Sequence, residues 1–370
     1  MAIASAPIPF RGSFGHASAL REHAENVLVQ VEDEDGNYGL GEGCPRPYVT
    51  GETAHGARAF LDRHRGEFLE LDGIAPLRQW MERRSAEIDA NPSAFCAAEL
   101  ALLDLFSRQQ QKSVESLLGI PLLHGGLSAT AVYSTGSWAK FCLTALLFAA
   151  YGMREAKLKV SGQVRVDGRR AAFLARRGRV RLDANNLWPS AEAAVAGLSH
   201  AAVHAWAVEE PVGPRDWHGM REVADRTGLA IILDESFTCI QDLDEAPADP
   251  SFIVNLRVSK LGGLLRSLAA LRHSLGQGRS VILGCQVGET SILARAGLAI
   301  ASAAGDRLIG YEGAYGTRLL TEDAVSPSIA FGWRGSVDLS RFPVSETGLG
   351  LRPTPVFQKA LLNREAFLDS

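Results

Sequence analysis

The sequence predicts an α/β chain, a (β/α)8-type TIM barrel carrying an N-terminal α+β capping domain. From about residue 129, short apolar strands alternate with helical segments in eight units. Acidic residues close three successive strands at the period of that unit. The first third has a different pattern, a glycine-rich hairpin followed by amphipathic helices. The expected division is a cap over residues 1–125, a barrel with the metal and catalytic site over 126–320, and a C-terminal segment, 321–370, returning to the cap.

Length and composition admit this plan. The 370 residues suffice for two domains, or for one barrel with additions. With 38 basic and 42 acidic residues the net charge is -4, which gives no electrostatic case for nucleic acid. The arginine run at 168–179 is local and reads as a solvated helix face. Five cysteines (Cys44, Cys96, Cys142, Cys239 and Cys285) are odd in number and lack metal-type spacing. Reduced thiols in the cytoplasm are expected, not a disulfide framework. No basic-then-apolar leader opens the chain and no stretch reaches transmembrane length, so a soluble protein without a membrane partner is expected.

In chain order, residues 25–31 alternate as a strand, 33–37 form a hairpin turn and 38–43 return as a glycine-rich strand. The G-x-G-x-G of that strand is not a dinucleotide fingerprint, because no apolar helix opens behind it. Polar, glycine-containing stretches at 11–21 and 44–53 read as two loops flanking the hairpin. Helical patterns follow at 52–65 and 74–85. A third starts at the N-cap Asn91 with Pro92 behind it, and Phe95, Ala98, Leu102, Leu105 and Phe106 mark its buried face. Glu99 and Asp104 on that helix are expected to be structural or surface carboxylates.

The barrel strands are expected at 129–134, 155–160, 180–184, 206–209, 230–234, 252–258, 280–284 and 308–311. Catalytic groups of such barrels sit where strands end. The second strand offers Lys157 and Lys159 on one face, since alternation sends Leu158 and Val160 to the other. The third ends in Asp183, the fourth in Glu209 and the fifth in Asp234, spaced 24, 26 and 25 residues from Lys159 onward. Three carboxylates converging without histidine or cysteine suit a hard cation, Mg2+ first and Mn2+ as an alternative. Such a cation can hold a substrate carboxylate and stabilise the enediolate formed when the neighbouring carbon loses its proton. Adjacent lysines depress each other's pKa, so one can act as the base with the other beside it. The helical pair His200 and His204 lacks the H-E-x-x-H form and is set aside.

These residues resemble the enolase superfamily, in the muconate-lactonizing branch of the mandelate racemase/muconate lactonizing enzyme group. The matching stretches are Lys157-Leu158-Lys159, Asp183-Ala184-Asn185, Val208-Glu209-Glu210-Pro211, Leu233-Asp234-Glu235-Ser236 and Lys260-Leu261-Gly262-Gly263. Gly41-Glu42-Gly43-Cys44-Pro45 through Thr53 resembles the cap of that family. The resemblance implies Asp183, Glu209 and Asp234 as Mg2+ ligands and Lys159 as the base. It implies a homo-oligomer acting on a small carboxylic acid selected by the loops around His16 and Tyr48. Asn185 is expected to support the ligands by hydrogen bonding, Glu289, which matches a loop motif of the family, to be partly structural, and Glu312 either to contact substrate or to serve a structural role.

The chain departs from the family at two points. The sixth strand of this branch carries a second catalytic lysine, and Arg257 stands there, with Lys260 downstream on what alternation makes the opposite face. Arginine is a poor proton carrier. Elimination of water, as in o-succinylbenzoate synthase, or cycloisomerisation is therefore expected. A racemase or epimerase in which Arg257 replaces the second base, and a silent barrel binding metal and carboxylate, are the alternatives. At the eighth strand the Asp-x-Asp of dipeptide epimerases, which binds the substrate's amino group, is reduced to Glu312, and this disfavours dipeptides.

Overall fold

The computed structural model describes residues 1–16, 19–122, 126–134, 136–337, 339, 342 and 346–362, apart from the side chains of 12–16, 19–21 and 315. The N-terminal unit is an antiparallel sheet of Ala2–His16, Ala19–Glu32 and Tyr38–Gly43, in that order, packed on helices Ala54–Leu69 and Pro92–Gln109, with helix Ile74–Arg83 against the latter. The alternating glycines of the third strand face helix Pro92–Gln109. A Cβ on Gly39 or Gly41 would lie 1.9 Å from the carbonyl oxygen of Ala101 or Ala97, and one on Gly43 2.0 Å from that of Ser93. Strand backbone therefore lies directly on helix backbone, and the glycine repeat is a packing device.

Two local expectations need correction. Residues 11–16 and 19–21, read as loop, are strand: pairing resumes at Phe14 with Arg21 and runs to His16 with Ala19, after an irregularity between Pro9 and Phe14. Glycine and polar residues imitate a loop there, whereas the partner strand satisfies the backbone. Asn91 does stand at the helix N-cap, but its amide donates to the Glu87 carbonyl. Glu52 caps the helix instead, accepting from Ser93 N at 2.9 Å and Ser93 Oγ at 2.7 Å.

Eight parallel strands follow: Ala131–Tyr133, Glu155–Lys159, Arg179–Asp183, Ala207–Glu209, Ala230–Leu233, Phe252–Leu256, Val281–Leu283 and Leu308–Tyr311. They pair in sequence order, and Thr130 N–H donates to Tyr311 O at 2.7 Å where the last meets the first. Ala207, Ile232, Ile253 and Ile282 form a small buried cluster of their own among the strands. The register sets Lys159 beside Asp183 and Asp183 beside Glu209, so the strand ends that carry charge are level.

Carboxylates of the N-terminal unit cap barrel helices. Glu99 accepts from Leu264 N and Leu265 N, both at 2.7 Å, at the start of Leu264–Gly276. Glu42 accepts from Thr290 N, Thr290 Oγ1 and Leu293 N at the start of Ser291–Ala304. Asp104 accepts from Leu40 N and Leu349 N, at 2.9 and 2.7 Å, so it and Glu99 are structural and not surface groups. The C-terminal segment returns to the cap through Thr321 N to Pro9 O, at 2.9 Å, and Arg108 to Leu351 O, at 2.8 Å. Among the described residues no helix is long and apolar enough to cross a membrane.

Candidate active site

Charged residues enter the barrel mouth at strand ends: Lys159, Asp183 and Glu209 close their strands and Asp234 follows the last residue of its own. Leu158, Leu182, Val208 and Leu233 are fully buried beside Lys157, Asp183, Glu209 and Asp234. The chain then turns sharply, with positive φ at Asn185 (44°), Asn186 (58°) and Glu210 (44°). Glu210 offsets that strain by bracing the next strand end, accepting from Asp234 N at 2.6 Å, Ser236 N at 2.7 Å and Ser236 Oγ at 2.7 Å.

The two lysines differ. Lys157 is 4% exposed, with Nζ 2.9 Å from Glu209 Oε1, 3.3 Å from Asp183 Oδ2 and 3.4 Å from Glu312 Oε1. Burial alone would lower its pKa, but Asp183, Glu209 and Glu312 outweigh burial and hold it well above the usual lysine range. For Lys157 this corrects the expectation of a depressed pKa. Lys159 is 26% exposed, donates to Asn185 Oδ1 at 2.8 Å and stands 3.5 Å from Asp183 Oδ2. Asn185 also donates to Glu235 Oε1 at 3.2 Å, and its backbone N–H reaches Asp183 Oδ1 at 3.2 Å.

Asp183, Glu209 and Asp234 stand at neighbouring strand ends with basic groups among them. Lys260 Nζ sits 2.8 Å from Asp234 Oδ1, and Arg257 makes a close ion pair with Asp234 Oδ2 while standing 4.0 Å from Glu209 Oε1. Burial pushes Asp234 up, and Arg257, Lys260 and Lys157 more than cancel it, leaving the carboxyl well below its ordinary range. Glu209 goes the other way, raised by burial and by Asp183, Asp234 and Glu312 against the pull of Lys157. Accordingly, among the described residues no group of three or more Asp, Glu, His or Cys side chains is arranged to hold a metal ion. The donor set still fits a hard divalent cation. All its atoms are carboxylate oxygens, and Glu209 Oε2 is buried with no hydrogen-bond partner among the described residues. Arg257 and Lys260 share the Asp234 carboxylate, and Lys157 shares those of Asp183 and Glu209.

The remaining expected residues divide. Lys260 is not opposite Arg257: the strand ends at Leu256, alternation lapses, and both cations reach Asp234. Glu312 is taken up by a close ion pair with the fully buried Arg181 as well as by Lys157. Glu289 is buried under the loop after the seventh strand, accepts from Gln286 N at 2.6 Å and is pushed by burial up to about 8. Tyr48 and Val49 of the cap line one cavity with Lys157, Lys159, Asp183, Asn185, Glu235, Arg257, Cys285 and Glu312. The His16 side chain and residues 17–18 lie outside the described residues.

Sequence reading missed Arg181, Glu235, Asn255 and Cys285. Arg181 lies two residues before Asp183, so alternation places both inside the barrel. Asn255 donates to Glu209 Oε1 at 3.2 Å from the sixth strand.

Comparison with known proteins shows the family and the fold. Residues 143–354 match the family described as Enolase C-terminal domain-like, and residues 2–119 match the mandelate racemase / muconate lactonizing enzyme, N-terminal domain. The chain is 26% identical over 303 residues to a hydrophobic dipeptide epimerase of Enterococcus faecalis, covering 78% of this chain and 82% of that protein. It is 24% identical over 305 residues to an N-succinyl-L-Arg/Lys racemase of Bacillus cereus, covering 80% and 81%. The structure of the dipeptide epimerase from Enterococcus faecalis complexed with Mg and L-Leu-L-Tyr superposes with a TM-score of 0.77 at 23% identity, covering 94% of this chain and 98% of that one. These relatives are named for epimerisation and racemisation, which corrects the expected muconate-lactonizing branch.

Proposed function

This chain belongs to the mandelate racemase/muconate lactonizing enzyme group of the enolase superfamily, and from that premise we propose that it racemises or epimerises an N-acylated amino acid by removing the proton α to the carboxylate. Dipeptides and N-succinyl amino acids, the substrates named for the relatives, share an acylated nitrogen on the α-carbon. The observation that carries the reading is Lys159. It is the most exposed cation of the mouth and is oriented by the neutral amide of Asn185, whereas Lys157 and Lys260 are locked on carboxylates.

Lys159 in its neutral form takes the α-proton onto Nζ. Lys157, held protonated, and Arg257 supply fixed positive charge around the carboxylate as negative charge grows on it. A divalent cation such as Mg2+, or Mn2+, when held by Asp183, Glu209 and Asp234, supplies further electrostatic stabilisation of the enediolate. Inversion needs a proton from the other face. Arg257 is a poor donor, since Asp234, Glu209, Glu235 and Glu312 outweigh its burial and hold its proton firmly. The Cys285 thiol lines the same cavity and is kept protonated by burial and by Glu289 and Glu312, so it is the proposed donor. Glu312 is the one acid at that strand end, and its charge is already balanced by Arg181 and Lys157 at Oε1 before a substrate ammonium arrives. That favours an N-succinyl-type substrate over a dipeptide.

The immobile proton of Arg257 favours a second reading, one-base elimination or cycloisomerisation. Optical rotation followed over N-succinyl-L-amino acids and L,L-dipeptides with Mg2+ separates the two. Loss of rotation with the N-succinyl compounds is expected. An alkene or lactone product with configuration retained in the remaining substrate would replace the first reading by the second.

A further inference from the structure

The three carboxylates at the strand ends present six oxygens, and this chain's own donors account for five. Asp183 Oδ1 takes the Asn185 N–H, and Oδ2 lies within 3.3 Å of Lys157 Nζ. Glu209 Oε1 takes Lys157 and Asn255. Asp234 Oδ1 takes Lys260, and Oδ2 takes Arg257. Glu209 Oε2 is left without a partner among the described residues. These contacts are not equal in kind. Lys157 and Lys260 are buried, and Lys260 also donates to the carbonyl oxygens of Asp234 and Asn255, at 2.7 and 3.4 Å. Lys260 belongs to the framework beneath the mouth, and Lys157 lines the cavity but is 4% exposed and held by Asp183, Glu209 and Glu312 together. Arg257 lines the cavity, is 13% exposed, and is otherwise tied only to the Gln286 side chain, at 3.3 Å, with Nε unpartnered among the described residues. Its guanidinium reaches toward two of the three carboxylates, Asp234 and Glu209.

We propose that Arg257 is a tethered cation that occupies the Asp234 arm of the site and must be displaced before a divalent cation can use it. The inference rests on the reading that Asp183, Glu209 and Asp234 hold such a cation. Two effects work in the same direction. The guanidinium occupies the Asp234 oxygen a metal would need, and its charge repels a dication at close range. Metal affinity without substrate is therefore set by the strength of the Arg257–Asp234 pair. A substrate carboxylate entering the cavity offers Arg257 an alternative partner, and by linkage the carboxylate and the metal tighten each other's binding.

Mn2+ binding to the full chain, without substrate, tests this by calorimetry or electron paramagnetic resonance. Arg257→Met keeps the aliphatic stem and removes the charge. It is expected to bind Mn2+ at least about tenfold more tightly than the wild type, a change that corresponds to one pair of like charges relieved near the protein surface. Equal or weaker binding by a folded Arg257→Met would overturn the proposal. Should that variant fail to fold, Arg257→Lys decides: tighter Mn2+ binding than wild type is expected, because an ammonium cannot span Asp234 and Glu209 as the guanidinium does, and an unchanged affinity overturns the proposal. Absence of Mn2+ binding in wild type and variants alike would overturn the metal reading as well, whereas binding indifferent to Arg257 overturns this inference alone.

Discussion

Lys157 and Lys159 lie two residues apart on one strand, yet their surroundings give them opposite tasks. Removing Lys157 would leave Asp183, Glu209 and Glu312 buried without their shared counter-ion. Lys157→Met is therefore expected to lower unfolding free energy in urea by about 3–5 kcal/mol, the usual cost of breaking one side of a buried pair. Lys159→Met should leave stability within about 1 kcal/mol, as the side chain is partly exposed and its closest partner is an amide. Cys285→Ala separates the two halves of the proposed reaction. Exchange of the α-proton should persist while inversion slows by about 10²-fold or more, the typical contribution of a positioned acid. Equal loss of both would show that Cys285 does not carry the second proton. The residue types at the strand ends were legible because chemistry and spacing coincide there. The Arg257 contact to Asp234 was not, since a side chain leaving the sheet past the last ladder pair no longer obeys alternation.

At the scale of elements, the cap is joined to the barrel by carboxylates placed at helix starts. Burial pushes Glu42 and Glu99 up to about 7, against the backbone N–H groups that pull them down. Both values lie above the ordinary 4.5. Their contribution to stability is thus full below about 4.5 and is lost as pH rises through about 7. Melting temperature should accordingly fall between about pH 5 and pH 8, and Glu99→Gln should reduce that fall. A melting temperature rising over the same interval would contradict the assignment. The strand Tyr38–Gly43 carries a sharper constraint. Gly41→Ala sets a methyl against the Ala97 carbonyl and is expected to cost about 1–3 kcal/mol or more in denaturant unfolding. Sequence showed the glycine repeat and excluded a nucleotide loop, but not its purpose. Close approach of two backbones is a tertiary fact, and Glu52 as the cap of a helix some 40 residues away is another.

For the whole molecule, eight strand ends bring residues more than 150 positions apart to one mouth, from Lys157 to Glu312. The barrel was readable because most of its strands are short apolar runs at a regular interval, and each observed strand lies within two residues of its expected bounds. The long first strand, Ala2–His16, was not readable, since its prolines, glycines and small residues form no alternating pattern. Reaction direction was the other gap. Sequence shows which groups can move a proton; whether the second face has a donor depends on which side chains line the cavity, and Cys285 enters from a strand whose end carries no charge. The central claim is that Lys159 removes the proton next to a substrate carboxylate. The direct measurement is α-proton exchange of N-succinyl-L-amino acids in deuterated water with Mg2+, followed by NMR in the wild type and in Lys159→Ala. Exchange in the wild type, reduced by about 10²–10⁴-fold in the variant, is the predicted result. Exchange at the same rate in a folded Lys159→Ala would contradict it.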